Sequence, residues 1–302
     1  MAFIQDNTDT YEEIKIPVPW GHIAGKWWGP KDIQPILAIH GFQDNACSFD
    51  PLAISLKKRN YSILCIDLPG HGFSSNYQKG VFYNLIWDGV YIIHRIVKHF
   101  GWNSKLTIIA HSLGGAMALN YASIFNENVQ KMIALDCIAP VPDNISDVLQ
   151  NFGNCIDKFL EFEETDNETL SYEYEDIRDM IMETRKNAFT SAALNTIMKR
   201  SVKPSDVEED CYVYCRDPRL NYSQNTLMAK SDMLSLSSNV KCDILIIRAK
   251  NGVTFNEWAD ELLEMFKQNG CYVDVHTVFG NHYVHLNNHL AVLDHVLNFL
   301  KH

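Results

Sequence analysis

Residues 11–28 alternate apolar and polar positions, with Ile14, Ile16, Val18, Ile23 and Trp27 among the apolar ones and Pro19-Trp20-Gly21 between the two arms. A two-residue period interrupted by turn formers predicts an antiparallel hairpin. The pattern changes at Pro35, where 35–39 is apolar throughout, as in a strand buried on both faces of a parallel sheet. Further strand patterns occur at 61–66, 106–110, 130–135, 244–247 and 272–278. Helical spacing fills the intervals: 49–59, 81–100 with Leu85, Val90, Ile93 and Val97, the stretch opening at Gly114, then 256–268 and 288–300. Strands alternating with helices predict an α/β chain built on a mainly parallel eight-stranded sheet, with right-handed crossovers and a ligand site at the carboxyl ends of the strands.

The alternation stops between 140 and 238. That stretch reads as helical and acidic, with Glu161, Glu163, Glu164, Asp166, Glu173, Glu175 and Asp176 close together. The expected organisation is therefore a core formed by 1–139 and 239–302 with a helical cap, 140–238, inserted between its halves. The acidic run reads as a solvated face and not a metal site, because no His or Cys is interleaved at ligand spacing. No repeat or low-complexity segment is apparent.

Composition narrows the class. Of 302 residues, 46% are hydrophobic, enough for a large buried core. No apolar run reaches the roughly 18 residues a spanning helix needs, and the first ten residues lack the basic and apolar regions of a leader. A soluble, cytoplasmic protein is expected. Eight cysteines without C-x-x-C pairs suit buried free thiols, and in such a compartment the sequons at Asn144, Asn167 and Asn221 carry no meaning. The formal charge of −11 (26 cations against 37 acids) and the lack of a basic cluster speak against a nucleic-acid partner. Oligomeric state is open.

Four polar residues fall at predicted strand ends: His40, Asp67, Ser112 and Asp136. Ser112 stands in A-H-S-L-G-G (110–115), between a β-rich run and a small-residue helix start. A tight strand-turn-helix of this kind presents its serine hydroxyl, and the pattern is G-x-S-x-G with Ala110 in the first glycine's place. Serine also caps ordinary helices, so the residues around it decide.

A serine nucleophile needs a base within hydrogen-bond reach and a carboxylate to orient that base. Of twelve histidines, His282 follows the last strand in a Gly280-Asn281 turn, where the order Ser, acid, His requires the base; His285 is the rival. The commonest acid position, after the strand at 244–247, offers only Asn251. Asp136, ending the strand before the cap, is the expected acid, with Glu257 and Asp260 as alternatives and a capping role for Asp136 the competing explanation. Backbone N–H groups of Leu113 and Phe42 are the expected oxyanion donors. His40 and Asp67 fit better as loop-fixing residues, and Gln43, Asp44 and Asn45 could add polar contacts, with Gln43 a candidate substrate contact. Phe82, Tyr83 and Trp87 are candidates for an apolar pocket or for core packing, and Trp87 is counted with Gln43 as substrate-binding.

Taken together, H-G-F-Q-D-N-A-C-S-F-D (40–50), D-L-P-G-H-G-F-S-S (67–75), A-H-S-L-G-G (110–115), R-D-P-R-L (216–220), I-I-R-A-K-N-G (246–252) and G-N-H-Y-V-H-L (280–286) resemble the α/β-hydrolase superfamily, and more closely the serine hydrolase-like proteins of animals. The resemblance implies Ser112 as nucleophile, His282 as base and Asp136 as acid. It departs at Ala110 and Asn251. The expectation is a serine hydrolase that cleaves carboxylic esters of small to medium apolar substrates through an acyl-serine intermediate, without metal or organic cofactor. Competing expectations are a non-catalytic binding protein on the same fold, and a thioester or C–C bond hydrolase using the same serine.

Overall fold

The computed structural model describes residues 10–137, 145–165, 170–223, 228–253, 255 and 257–302. The chain opens with the antiparallel pair β1 (Glu12–Val18) and β2 (Gly21–Trp28), followed by β3 (Ile36–Ile39), α1 (Asp50–Lys57), β4 (Ile63–Ile66), α2 (Leu85–Phe100), β5 (Leu106–His111), α3 (Leu113–Ile124) and β6 (Val129–Leu135). An intervening segment holds α4 (Ile145–Glu164), β7 (Ser171–Tyr172), α5 (Tyr174–Thr184), α6 (Ser191–Ser201), β8 (Val202–Pro204), β9 (Tyr212–Tyr214) and α7 (Lys230–Ser237). The sheet then resumes with β10 (Asp243–Asn251), α8 (Glu257–Gln268), β11 (Val273–Asn281), α9 (Val284–Asn287) and α10 (Leu290–Lys301).

Eight strands form one sheet in the order β1-β2-β4-β3-β5-β6-β10-β11. Every pairing is parallel except the two made by β2. The continuous apolar runs explain this placement, because successive residues of a strand point to opposite faces and both faces here are covered. Leu37, Ile39, Ile108, Ala110, Ile244 and Ile246 join one core with α2, α3 and α8. Ala38, Ile109, Ile133, Leu245 and Ile247 join the other with α1 and α10. The mainly parallel eight-stranded α/β arrangement read from the sequence is the one observed.

Three boundaries differ in ways that affect the site. The last two strands run further than their apolar runs, to Asn251 and Asn281, where these two residues pair, so His282 follows directly on a strand end. The short α9 intervenes before α10 and carries His285. The segment between β6 and β10 is not purely helical, since β7, β9 and β8 form a small antiparallel sheet. Strands of two or three residues are too short to leave a periodic signature. The segment's own core, from Ile177, Ile181, Phe189, Leu194, Ile197 and Met198, includes Leu286 of α9, which binds it to the sheet. The expected start of that segment at Pro140, and the positions Asn144, Asp166, Asn167 and Asn256, lie outside the described residues. Among the described residues, no helix is long and apolar enough to cross a membrane.

Candidate active site

The turn between β5 and α3 sets Ser112 at φ +50°, ψ −119°, a conformation that side chains larger than glycine adopt only under constraint. The constraint is visible on both sides. A Cβ on Gly114 would collide with the backbone of Ile39, and one on Gly41 would lie 2.7 Å from His111 Nδ1. Small residues at these positions let the β3 loop and the start of α3 close around the serine. Ala110, where the usual motif has glycine, packs its methyl fully buried in the core and interferes with nothing.

Ser112 Oγ lies 2.9 Å from His282 Nε2, and His282 Nδ1 lies 2.6 Å from Asp136 Oδ2. The ring nitrogen nearer the carboxylate therefore donates, which leaves Nε2 to accept from the hydroxyl. Asp136 is fully buried and held at φ +49°. Its Oδ1 accepts the N–H of Ala249 in β10 (2.8 Å) and its Oδ2 that of Val253, just past the strand (2.9 Å). Asn251, where a carboxylate is commonest, ends β10, and the next residue, Gly252, is pressed onto the Asp136 carboxylate. His285 is also fully buried, but its ring lies tilted against His111 and Phe49 and neither nitrogen has a partner among the described residues. Asp260 is exposed and faces Arg248, and the side chain of Glu257 lies outside the described residues.

Around this chain of hydrogen bonds sits a set of groups that sequence reasoning did not assemble. His111 Nε2 donates to the carbonyl of His282 (2.9 Å), fixing the backbone of the imidazole. Burial, outweighing the neighbouring carboxylate, keeps the His111 ring neutral by pulling its pKa down. Arg185, just past α5, donates through one guanidinium nitrogen to the Phe42 carbonyl (2.9 Å) and to Asp44 Oδ1 (3.0 Å). Burial opposes ionisation of Asp44, yet the Arg185 guanidinium holds its carboxyl far below the usual carboxylate range. His71 Nδ1 donates to the Pro69 carbonyl, so its Nε2 accepts the Gln43 N–H at 3.1 Å. Residues 42–44 are thus gripped from three directions, beside the Phe42 and Leu113 backbone that was expected to supply donors.

The remaining sequence candidates fall as follows. His40 Nε2 accepts the Leu68 N–H, and Asp67 accepts from Ala46 N, Phe73 N and Arg200, so both fix loops. The Gln43 side chain donates to Asn221 Oδ1, and Asn45 to Ile197 O and Ser201 Oγ, joining the loop to the segment above it. Tyr83 is buried with its hydroxyl on Asp217, Trp87 packs half-buried on the main core, and Phe82 meets Phe152 and Phe159 of α4.

A sequence profile described as alpha/beta hydrolase fold matches residues 34–172. A probable serine hydrolase of Drosophila melanogaster is 34% identical over 297 residues, covering 97% of this chain and 88% of that one. The chain belongs to the serine hydrolase-like family. A serine hydrolase-like protein of Danio rerio is 29% identical, covering 96% of this chain and 88% of its own length. Solved structures share the fold of this serine hydrolase-like chain. A hypothetical protein of Pseudomonas aeruginosa PAO1 superposes with a TM-score of 0.82 at 24% identity, covering 96% of this chain and all of that one. E-2-(acetamidomethylene)succinate hydrolase superposes with a TM-score of 0.73 at 17% identity, covering 97% and 100%.

Proposed function

We propose that the protein is a serine hydrolase that cleaves carboxylic esters of small to medium apolar substrates through an acyl-serine intermediate. The observation that carries this reading is the unbroken relay from Ser112 Oγ through His282 to Asp136, at 2.9 and 2.6 Å. Ser112 attacks the ester carbonyl as His282 Nε2 takes its proton. Asp136 keeps the imidazole in the tautomer that accepts this proton and stabilises the imidazolium that results. The same imidazolium then protonates the departing alkoxide, and a water activated by His282 releases the acid and restores the serine. Oxyanion stabilisation comes from the N–H groups of Leu113 and Phe42. The Gln43 N–H is occupied by His71, which leaves Phe42 as the donor from that loop.

In this reading the segment between β6 and β10 serves as a cap over the site, and its aromatic contacts with Phe82, together with Trp87, supply apolar surface for the substrate's body. The thiols of Cys47, Cys65, Cys137, Cys211, Cys215, Cys242 and Cys271, unpaired among the described residues, fit a reducing, cytoplasmic setting. The reaction requires no metal or organic cofactor. Labelling by a fluorophosphonate probe tests the proposal: the wild-type protein should react in its folded state and the Ser112→Ala variant should not. Unlabelled wild-type protein that binds but does not turn over short-chain p-nitrophenyl esters would instead support a binding protein, and faster cleavage of the matched thioesters a thioesterase.

A further inference from the structure

Twenty-six lysines and arginines face thirty-seven acidic residues in this chain, so carboxylates are not scarce. The buried guanidiniums use them. Arg185 holds Asp44, Arg200 holds Asp67 and Glu13, and Arg219 holds Asp217 together with backbone carbonyls. Arg216, half-buried, differs from these three, as does Arg95 on the face of Trp20. Among the described residues the Arg216 guanidinium makes no hydrogen bond and no ion pair, its Nε is closed off from solvent without a partner, and its one contact is the face of Tyr214, 5.0 Å away. A half-buried guanidinium whose Nε is desolvated without an acceptor is costly to keep, and none of the described residues offsets that cost.

Its position says what could. Arg216 lies between two backbone anchors, Cys215 N–H on Ser201 O (2.7 Å) and Asp217 N–H on Gly70 O (2.8 Å). The second anchor sets it beside His71, whose Nε2 holds the Gln43 N–H. Arg185 holds the adjoining Phe42 carbonyl. Both neighbours feel the charge: after burial and His40, Arg216 adds to the lowering of the His71 pKa, and Arg185 adds to the lowering of the Arg216 pKa by burial. Arg216 thus belongs to the chain segment anchored to Gly70, next to His71, which together with Arg185 holds residues 42–43 on the loop assigned to the oxyanion.

We infer that Arg216 receives an oxyanionic group, carboxylate or phosphate, carried by the ester that the site hydrolyses. The inference rests on the hydrolase reading and refines it: the apolar substrate bears one charged substituent at a distance from the scissile carbonyl. A planar guanidinium presents paired donors that match the two oxygens of such a group. Binding there supplies the acceptors Arg216 lacks, and a neutral analogue leaves it unpaired, which is how a buried polar group discriminates between substrates. The overall charge of −11 does not prevent this, because surface charges are screened beyond about 8 Å at physiological salt.

Two measurements test it. The first compares kcat/KM for mono-4-nitrophenyl glutarate, an anionic half-ester, with that for 4-nitrophenyl pentanoate, a neutral ester of similar length. The wild-type ratio should favour the anion by about tenfold or more. That ratio should fall at least about tenfold in Arg216→Gln and less in Arg216→Lys, which keeps the charge but loses the fork. The second needs no turnover: calorimetric binding of glutarate, butyl phosphate and neutral glutaramide to wild type and Arg216→Gln. Tighter binding of glutarate or of butyl phosphate than of glutaramide, lost in the variant, supports the anion site and tells carboxylate from phosphate. Should esters be hydrolysed with no preference for the anion, and both anions bind no better than glutaramide, the Arg216 inference is overturned while the hydrolase stands. Should an anion bind through Arg216 and no ester be cleaved, the hydrolase reading fails and the site remains. If Arg216→Gln does not fold, the wild-type preference and Arg216→Lys decide.

Discussion

Gly252 lies so close to Asp136 that a single methyl group on it would overlap the carboxylate. β10 ends at Asn251 without an acid of its own, and the loop after it instead delivers the Val253 N–H to an acid from the end of β6. The proposed role of Asp136 makes both positions testable. Asp136→Asn should reduce kcat by about 10⁴-fold, the loss expected when the imidazole loses its tautomer control. Gly252→Ala should reduce it by about 10²-fold, because the carboxylate must move to admit the methyl and the histidine moves with it. Steady-state kinetics with a short-chain p-nitrophenyl ester measure both, and near-normal turnover in Asp136→Asn would remove it from the relay.

Arg185 acts through the loop it holds. Arg185→Met leaves Asp44 buried without its guanidinium and frees the Phe42 carbonyl, so both stability and turnover should fall. Breaking a buried pair costs about 3–5 kcal/mol, readable in urea denaturation. The kcat of folded protein should drop by about 10- to 100-fold as the Phe42 N–H loses its alignment. Arg185→Lys should restore most of the stability and less of the turnover, since the shorter, strongly hydrated ammonium keeps the charge but not the fixed planar direction of the guanidinium's donors. Equal recovery of the two would reduce Arg185 to a structural role.

Four histidines, His40, His71, His111 and His285, are buried with pKa values pushed down chiefly by burial. In the unfolded chain each takes up a proton near its ordinary value of about 6.5. Below that pH the unfolded state binds more protons than the folded one, so stability falls as pH falls and is fully present above about 6.5. Thermal denaturation should show the Tm dropping as the pH is lowered from 7.5 to 5. His285→Leu, which removes a ring whose two nitrogens have no partner among the described residues, should flatten that drop and leave ester turnover in place. An unchanged pH slope would exclude His285 as a contributor.

Lys26 is fully buried, with its ammonium 2.5 and 2.6 Å from the Asp50 carboxylate oxygens and 3.9 Å from the centre of the Tyr11 ring. Lys26→Met should cost about 3–5 kcal/mol by stranding Asp50, whereas Lys26→Met combined with Asp50→Leu should recover most of that loss. Urea denaturation of the three proteins checks it; additive losses would show that the two residues act separately.

The strands and helices of the core were legible because each buried strand is a short apolar run and each helix repeats its own period. Ser112 and His282 could be singled out for a related reason: both stand where such a pattern ends in a small-residue turn. Asp136 could be chosen over Asn251 only because it ends the neighbouring strand. Arg185, Asp44 and His111 were not legible as a group. They come from three separate stretches, and only tertiary packing brings a guanidinium after α5 to the loop after β3. Arg216 was visible as part of R-D-P-R-L, but that its Nε has no partner among the described residues is a property of the folded chain alone.

The central claim, that Ser112 carries the acyl group in the reaction, is tested most directly by rapid quenching during turnover of a p-nitrophenyl ester, followed by peptide mass spectrometry. The expected result is an acyl mass on the peptide containing Ser112, appearing with a burst of p-nitrophenolate and absent in Ser112→Ala. Undiminished turnover in Ser112→Ala, with no acyl group on that peptide in the wild type, would contradict it.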